Sequence, residues 1–199
     1  MDTISLIMLP VSVCRISSPI AAMKETWEEY VKKWKPMYGD NITSNPVIPE
    51  PLQGTQLMLE GEILEIVEGV QGDTRDNSYI WVPSLKAVVT GDTVFNGVYP
   101  WTLETTPDER KDWIRTVDRI AALEPLIVAG GHKSPGLKDD PSCLQFMKDY
   151  LGYYDEVLPS CKTAEEFRAR MKSRFPDLSL DVMLQLAADA VFSKEKNAT

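Results

Sequence analysis

Three short turns carry side chains with usable chemistry: Gly72-Asp73-Thr74, Gly91-Asp92-Thr93 and Gly130-Gly131-His132. Glycine lets the backbone bend sharply after a strand, which aims the next side chain past the strand end into a shared cleft. Two carboxylates and one imidazole meeting there could ligate a divalent cation, because zinc, manganese and iron all accept carboxylate oxygen and imidazole nitrogen. The same set could move protons, since imidazole is the side chain that titrates nearest neutrality and a carboxylate beside it orients its ring. An aspartate after glycine also commonly closes a turn on its own backbone. The functional reading therefore rests on the three turns together.

Hydrophobic periodicity supplies the elements that must hold these turns. Residues 56–60 and 62–68 read as strands around Gly61, and 79–82 and 85–90 as two more around Pro83-Ser84, the pattern of an antiparallel meander. The apolar run 126–129 reads as a buried strand that delivers Gly130-Gly131-His132 into a loop at the sheet edge. Between them, Thr105-Thr106-Pro107-Asp108-Glu109 marks a helix start, and Trp113, Ile114, Val117, Ile120 and Ala121 form its apolar face up to about Leu123, before Pro125. Upstream, 11–16 reads as a strand, and Ser17-Ser18-Pro19 opens a helix to Trp34 with a core stripe of Trp27, Tyr30, Val31 and Trp34. Pro36, Pro46, Pro49 and Pro51 predict a loop without regular structure over 35–53. Downstream, helices are expected over 140–157, 163–174 and 179–190, the second opening with a capping box from Thr163 to Glu166. Strands followed by helices, without an internal repeat, argue a layered α/β architecture.

Composition narrows the class. A chain of 199 residues that is 43% hydrophobic and 26% charged has ordinary globular usage, which excludes a disordered, collagen-like or disulfide-stapled miniprotein. With 21 basic against 30 acidic side chains, a net charge of -9 and no basic stripe, nucleic acid is not an expected partner. Cys14, Cys143 and Cys161 are an odd set without CxxC spacing, so reduced thiols in a cytoplasmic protein are expected. The apolar run 3–14 follows Asp2 rather than a basic cluster and is broken by Pro10, which argues against a secretory signal. No stretch approaches the roughly 20 apolar residues that span a bilayer, so no membrane partner is expected.

The segments "GDTRDNSYIWVPSLKAVVTGDTVFNGVYPW" (72–101) and "LIVAGGHKSPG" (126–136) resemble the C-terminal half of a metallo-β-lactamase-fold hydrolase. The resemblance implies that Asp92 matches the metal-bridging aspartate and His132 the last histidine ligand of that family. Gly72-Asp73-Thr74 stands where most members carry Gly-His-Thr, so Asp73 replaces a histidine ligand, an exchange that favours a harder metal. The family's HxHxDH motif, which supplies most ligands, cannot be present in a chain with a single histidine. Residues 12–34 resemble the strand and helix that follow that motif, so an N-terminally truncated member is expected.

The resemblance implies a partial αββα sandwich with additional C-terminal helices. It is read as one domain: 1–53 as strand, helix and loop, 54–136 as sheet and site, and 137–199 as C-terminal helices. The expected activity is that of a hydrolase, or a related lyase or isomerase, on a small organic ester, thioester or lactone. His132 and Asp92 would be catalytic, and Trp81, Tyr99 and Trp101 would line the cleft. Asp73, Asp92 and His132 would hold one weakly bound divalent metal, zinc or manganese, or none. The alternative is a non-catalytic remnant or dimerising module. Loss of part of the first sheet would expose apolar surface and a strand edge, which a homodimer would cover, with 3–13 as the added strand.

Overall fold

The computed structural model describes residues 17–43, 52 and 54–196, and the chain divides into two compact units, Met1–Thr55 and Gln56–Thr199. The strand expected over 11–16 lies outside the described residues. In the first unit, helix α1 (Ser17–Tyr38) runs past the end expected at Trp34 and is followed by a 3-10 turn, Gly39–Asn41. The loop expected from residue 35 therefore begins later. The reason is an aromatic ladder: Trp27, Tyr30, Trp34 and Tyr38 lie at successive three and four residue spacings, with ring centroids 5.0, 6.3 and 6.0 Å apart. It carries the helix through Pro36, which lacks the N–H a helix interior needs.

The second unit is built on a sheet of five strands. β1 (Gln56–Leu59), β2 (Glu62–Val70), β3 (Asn77–Val82) and β4 (Ala87–Val89) form the expected antiparallel meander. Two further pieces, β5 (Phe95–Asn96) and β7 (His132–Lys133), pair with each other, and β6 (Ile127–Ala129) joins the sheet beside β4. The β4–β6 pairing is parallel, with Val88 opposite Val128. A parallel neighbour requires a crossover, and helix α2 (Pro107–Ala121) provides it.

The start of α2 follows from its first residues. Thr106 Oγ1 accepts from the Glu109 N–H at 3.3 Å, the Glu109 carboxylate accepts from the Thr106 N–H at 2.8 Å, and Pro107 occupies the first turn. Trp113, Val117 and Ile120 are fully buried on its inner face, in one core with Tyr79, Val88 and Val128 of the sheet. Helices α3 (Ser142–Val157), α4 (Ala164–Arg174) and α5 (Asp181–Lys196) complete that core through Met147, Tyr150, Phe167, Met171 and Leu184. α3 begins two residues later than expected because Pro141 takes the N-cap and Asp140 Oδ1 accepts from the Ser142 N–H at 2.9 Å. At α4, Thr163 caps the Glu166 N–H at 3.1 Å, but the Glu166 carboxylate turns to the Lys162 N–H at 3.0 Å, leaving half of the expected box. Among the described residues no helix is long and apolar enough to cross a membrane.

Candidate functional site

The three glycine turns meet beyond the ends of β4 and β6. Both strands stop together because the Thr90 N–H donates to Ala129 O at 3.0 Å, after which Gly91–Thr93 makes a single 3-10 turn carrying Asp92. The Gly131 N–H donates to Gly91 O at 2.9 Å, and the Asp73 N–H donates to Asp92 O at 3.2 Å. The turn at Asp92 is thus bonded to both of the others. Its position is fixed from below by α2, whose Trp113 indole N–H donates to Thr93 O at 2.8 Å.

Glycine serves two different purposes here. Only Gly91 among these turn glycines is left-handed, with φ +51. At the others the need is close approach: a side chain on Gly131 would meet Asp92 Oδ1 and Gly91 at 2.6 Å, and one on Gly72 would meet the Asn77 side chain at 2.9 Å and Asp92 O at 3.0 Å. The expected sharp bend is found at Gly91, whereas Gly72 and Gly131 are small so that the turns can touch.

This packing brings the expected side chains together. His132 Nε2 lies 3.4 Å from Asp92 Oδ1, an ion-pair separation longer than a tight hydrogen bond. Because β5 and β7 place Phe95 opposite His132, the imidazole stacks on the Phe95 ring with centroids 5.2 Å apart and planes 14° apart. Phe95 is itself immobilised by its edge-on contact with Trp113 at 6.1 Å. Asp73 neighbours Asp92 through the backbone bond between their turns. Its Oδ1 accepts from Asn77 Nδ2 at 3.0 Å and from Thr74 Oγ1 at 3.3 Å. Burial, and then the neighbouring Asp92 charge, push the Asp73 carboxyl up to about 7, against the lowering effect of those bonds. Asp92 is also raised by burial, with His132 opposing the shift.

A three-ligand metal centre does not fit these residues. The donor types suit zinc or manganese, but Asp73 Oδ1 is already engaged by Asn77 and Thr74. Among the described residues no three His, Cys, Asp or Glu side chains are grouped so as to hold a metal ion.

Of the aromatic lining expected from Trp81, Tyr99 and Trp101, Tyr99 does not face the cleft, and the two tryptophans are half-buried. Tyr99 is buried in the core and donates its hydroxyl to Phe175 O at 3.0 Å, and the two tryptophans pack against the same core. The wall of the site is instead Phe95, and the residue that holds Asp73 is Asn77. Phe95 stands three positions after Asp92 within an apolar run, where nothing in its type separates it from a core residue.

The model of the metallo-beta-lactamase superfamily matches residues 15–132, a span that contains all three turns. No curated protein matches the chain significantly. Among solved structures, a metallo-beta-lactamase family protein from Thermus thermophilus is similar at a TM-score of 0.55 and 19% identity, over 89% of this chain and 62% of that one. A beta-lactamase domain protein from Burkholderia ambifaria is similar at a TM-score of 0.54 and 16% identity, over 83% of this chain and 50% of that one. At these identities the likeness is one of fold, and the α/β fold expected from the sequence is the fold found. The chain spans less than two thirds of the length of either structure.

Proposed function

Since the chain belongs to the metallo-beta-lactamase superfamily, we propose that it hydrolyses a small organic ester, thioester or lactone at the junction of its three glycine turns, with His132 moving the proton. The observation that carries this reading is the pairing of His132 Nε2 with Asp92 Oδ1 at 3.4 Å, on a ring held flat against Phe95. With a proton on Nε2 facing Asp92, Nδ1 accepts a proton from water as the water oxygen adds to the substrate carbonyl carbon. The tetrahedral adduct collapses, the C–O or C–S bond breaks, and the leaving oxygen or sulfur takes that proton from His132. Asp92 keeps the ring oriented and stabilises the imidazolium, and Asp73 holds a second polar group of the substrate. A lyase or isomerase step would use the same proton transfer.

Proton transfer of this kind contributes roughly 10²-fold to 10⁴-fold. On a panel of esters, thioesters and lactones, His132→Ala is expected to lose turnover by that factor and Asp92→Asn to lose part of it, with circular dichroism unchanged. Equal rates in all three proteins would remove the site from the reaction. Zinc or manganese should bind weakly and below one equivalent per chain, because among the described residues no three His, Cys, Asp or Glu side chains are grouped to hold it; two tightly held metals by elemental analysis would reject this. Among the described residues Cys143 and Cys161 form no disulfide, and a cytoplasmic setting is part of this reading.

A second reading, a dimerising binding module, draws support from β1. Among the described residues no strand pairs with its outer edge, where Met58 and Leu59 are 65% and 61% exposed. Sedimentation should then show a dimer that the double substitution Met58→Glu and Leu59→Glu converts to monomer; a wild-type monomer at every concentration rejects it.

A further inference from the structure

A cavity of about 460 Å³ borders the Gly72-Asp73-Thr74 turn, between the bulged end of β2, the loop that follows it and the face of α2 that carries Asp112, Arg115, Thr116 and Arg119. Its basic lining is Arg75 from the loop with Arg115 and Arg119 from α2, one helical turn apart on the same face. Asp76 and Asp112 are the acidic members of the wall, and buried Val70 belongs to the lining. Three guanidinium groups around one cavity are unexpected in a chain of net charge -9.

The arginines are not equivalent. Arg75 pairs with Glu109 at 2.5 Å, and Arg115 with Asp112 in the preceding turn of the helix. Each of these pairs engages part of a five-donor fork and leaves further N–H groups for a ligand. Arg119 makes no ion pair with a carboxylate among the described residues, although it lines the same space. The structure therefore places two guanidinium groups paired with carboxylates and one without a carboxylate partner among the described residues around a shared volume, donors of the kind that recognise a planar or tetrahedral oxyanion.

We propose that this cavity is a binding site for a phosphorylated small molecule. The phosphate would be held by Arg115 and Arg119 with Arg75 closing over it. The cavity is larger than a bare phosphate requires and falls within the range of small-ligand pockets, so it has room for a carrier attached to the phosphate. Asp76 and Asp112 set the chemistry of that carrier: their carboxylates accept hydrogen bonds, so hydroxyl or amino groups suit it and further acidic groups do not. The cavity shares the Gly72-Asp73-Thr74 turn with the proposed hydrolytic site, but its lining side chains are different ones, and nothing in its test depends on turnover.

The test is a titration of the full chain with glycerol 3-phosphate, which carries two hydroxyls, and with inorganic phosphate, at constant ionic strength. Binding is read from the rise in melting temperature and from the arginine side-chain N–H signals in NMR. Glycerol 3-phosphate should saturate in the millimolar range and bind more tightly than inorganic phosphate. Arg115→Gln and Arg119→Gln, both at exposed positions of a helix, should weaken it roughly tenfold. Lys111→Gln, on the same helix but outside the cavity, removes the same charge and should leave binding unchanged. Absence of saturation, equal weakening in Lys111→Gln, or binding unaltered in the two arginine variants would each overturn the proposal.

Discussion

The ionised Asp73 carboxylate works against the fold. An aspartate in an unfolded chain titrates near 3.9, whereas burial and the Asp92 charge push Asp73 up to about 7. The folded state therefore holds this proton more tightly than the unfolded state, and stability falls as pH rises from about 4 through 7 and then levels off. Asp73→Asn keeps an oxygen to accept from Asn77 and Thr74 while removing the charge. Urea unfolding should find the variant more stable than wild type at pH 8 by on the order of 1 kcal/mol after solvent screening, with the advantage gone near pH 4. The same difference at both pH values would mean that Asp73 carries its charge without penalty. Asp73, Asp92 and His132 were legible in the sequence because each pairs a chemically capable type with a glycine turn. Phe95 and Asn77 were not, because their roles arise from contacts between segments: Phe95 meets His132 only through the parallel pairing of β5 with β7. Tyr99 misled for the complementary reason, since its burial is set by α3 and by Phe175 rather than by its own neighbours in sequence.

Helix starts were the most legible features because caps are local. The box at α2 joins Thr106 and Glu109 within one turn, and Arg75 adds an ion pair from the loop after β2. The Glu109 carboxylate is held down to about 2 by the Thr106 N–H first, then by the Thr106 hydroxyl and by Arg75. A depressed acid contributes stability above its unfolded value near 4.3 and loses it as pH falls toward 2. Glu109→Gln should therefore be less stable than wild type at pH 7, with the gap closing below pH 4, and Thr106→Ala should lose about 1 kcal/mol at neutral pH. Urea midpoints at pH 7 and pH 3 check both, and a gap undiminished at pH 3 would assign the effect to something other than charge. Where the reading of elements failed, the deciding contact was outside the window that periodicity sees. α1 continues past Pro36 because Trp34 reaches Tyr38. The two-residue strands β5 and β7 carry no period of their own and exist only by pairing with each other.

Unit Gln56–Thr199 shares a single core, and this joins the C-terminal helices to the site, α3 directly, since the Phe95 N–H donates to Met147 Sδ at 3.4 Å, and α4 and α5 through the core. Met171 of α4 and Leu184 of α5 belong to the same buried cluster as Val88 of β4 and Val128 of β6. The connection also runs through the backbone: the Tyr99 N–H donates to Ser179 O at 3.0 Å, and the Ser179 N–H donates to Gly97 O at 3.1 Å, immediately after β5. Order in the helices thus fixes the strand that carries Phe95, and Phe95 fixes the His132 ring. The meander and its helical layer could be read from hydrophobic pattern, but this linkage could not, because it pairs segments about 80 residues apart whose types are ordinary on both sides. It predicts cooperative unfolding of the unit. Met171→Ala removes a fully buried side chain and should cost about 2–5 kcal/mol. In hydrogen exchange, the amides of Val88 and Val128 should then lose as much protection as those of α4 itself, since one core opens as one unit. Loss confined to α4 and α5, with the β4 and β6 amides unchanged, would show that the helices unfold separately and that the path from Met171 to His132 carries no coupling.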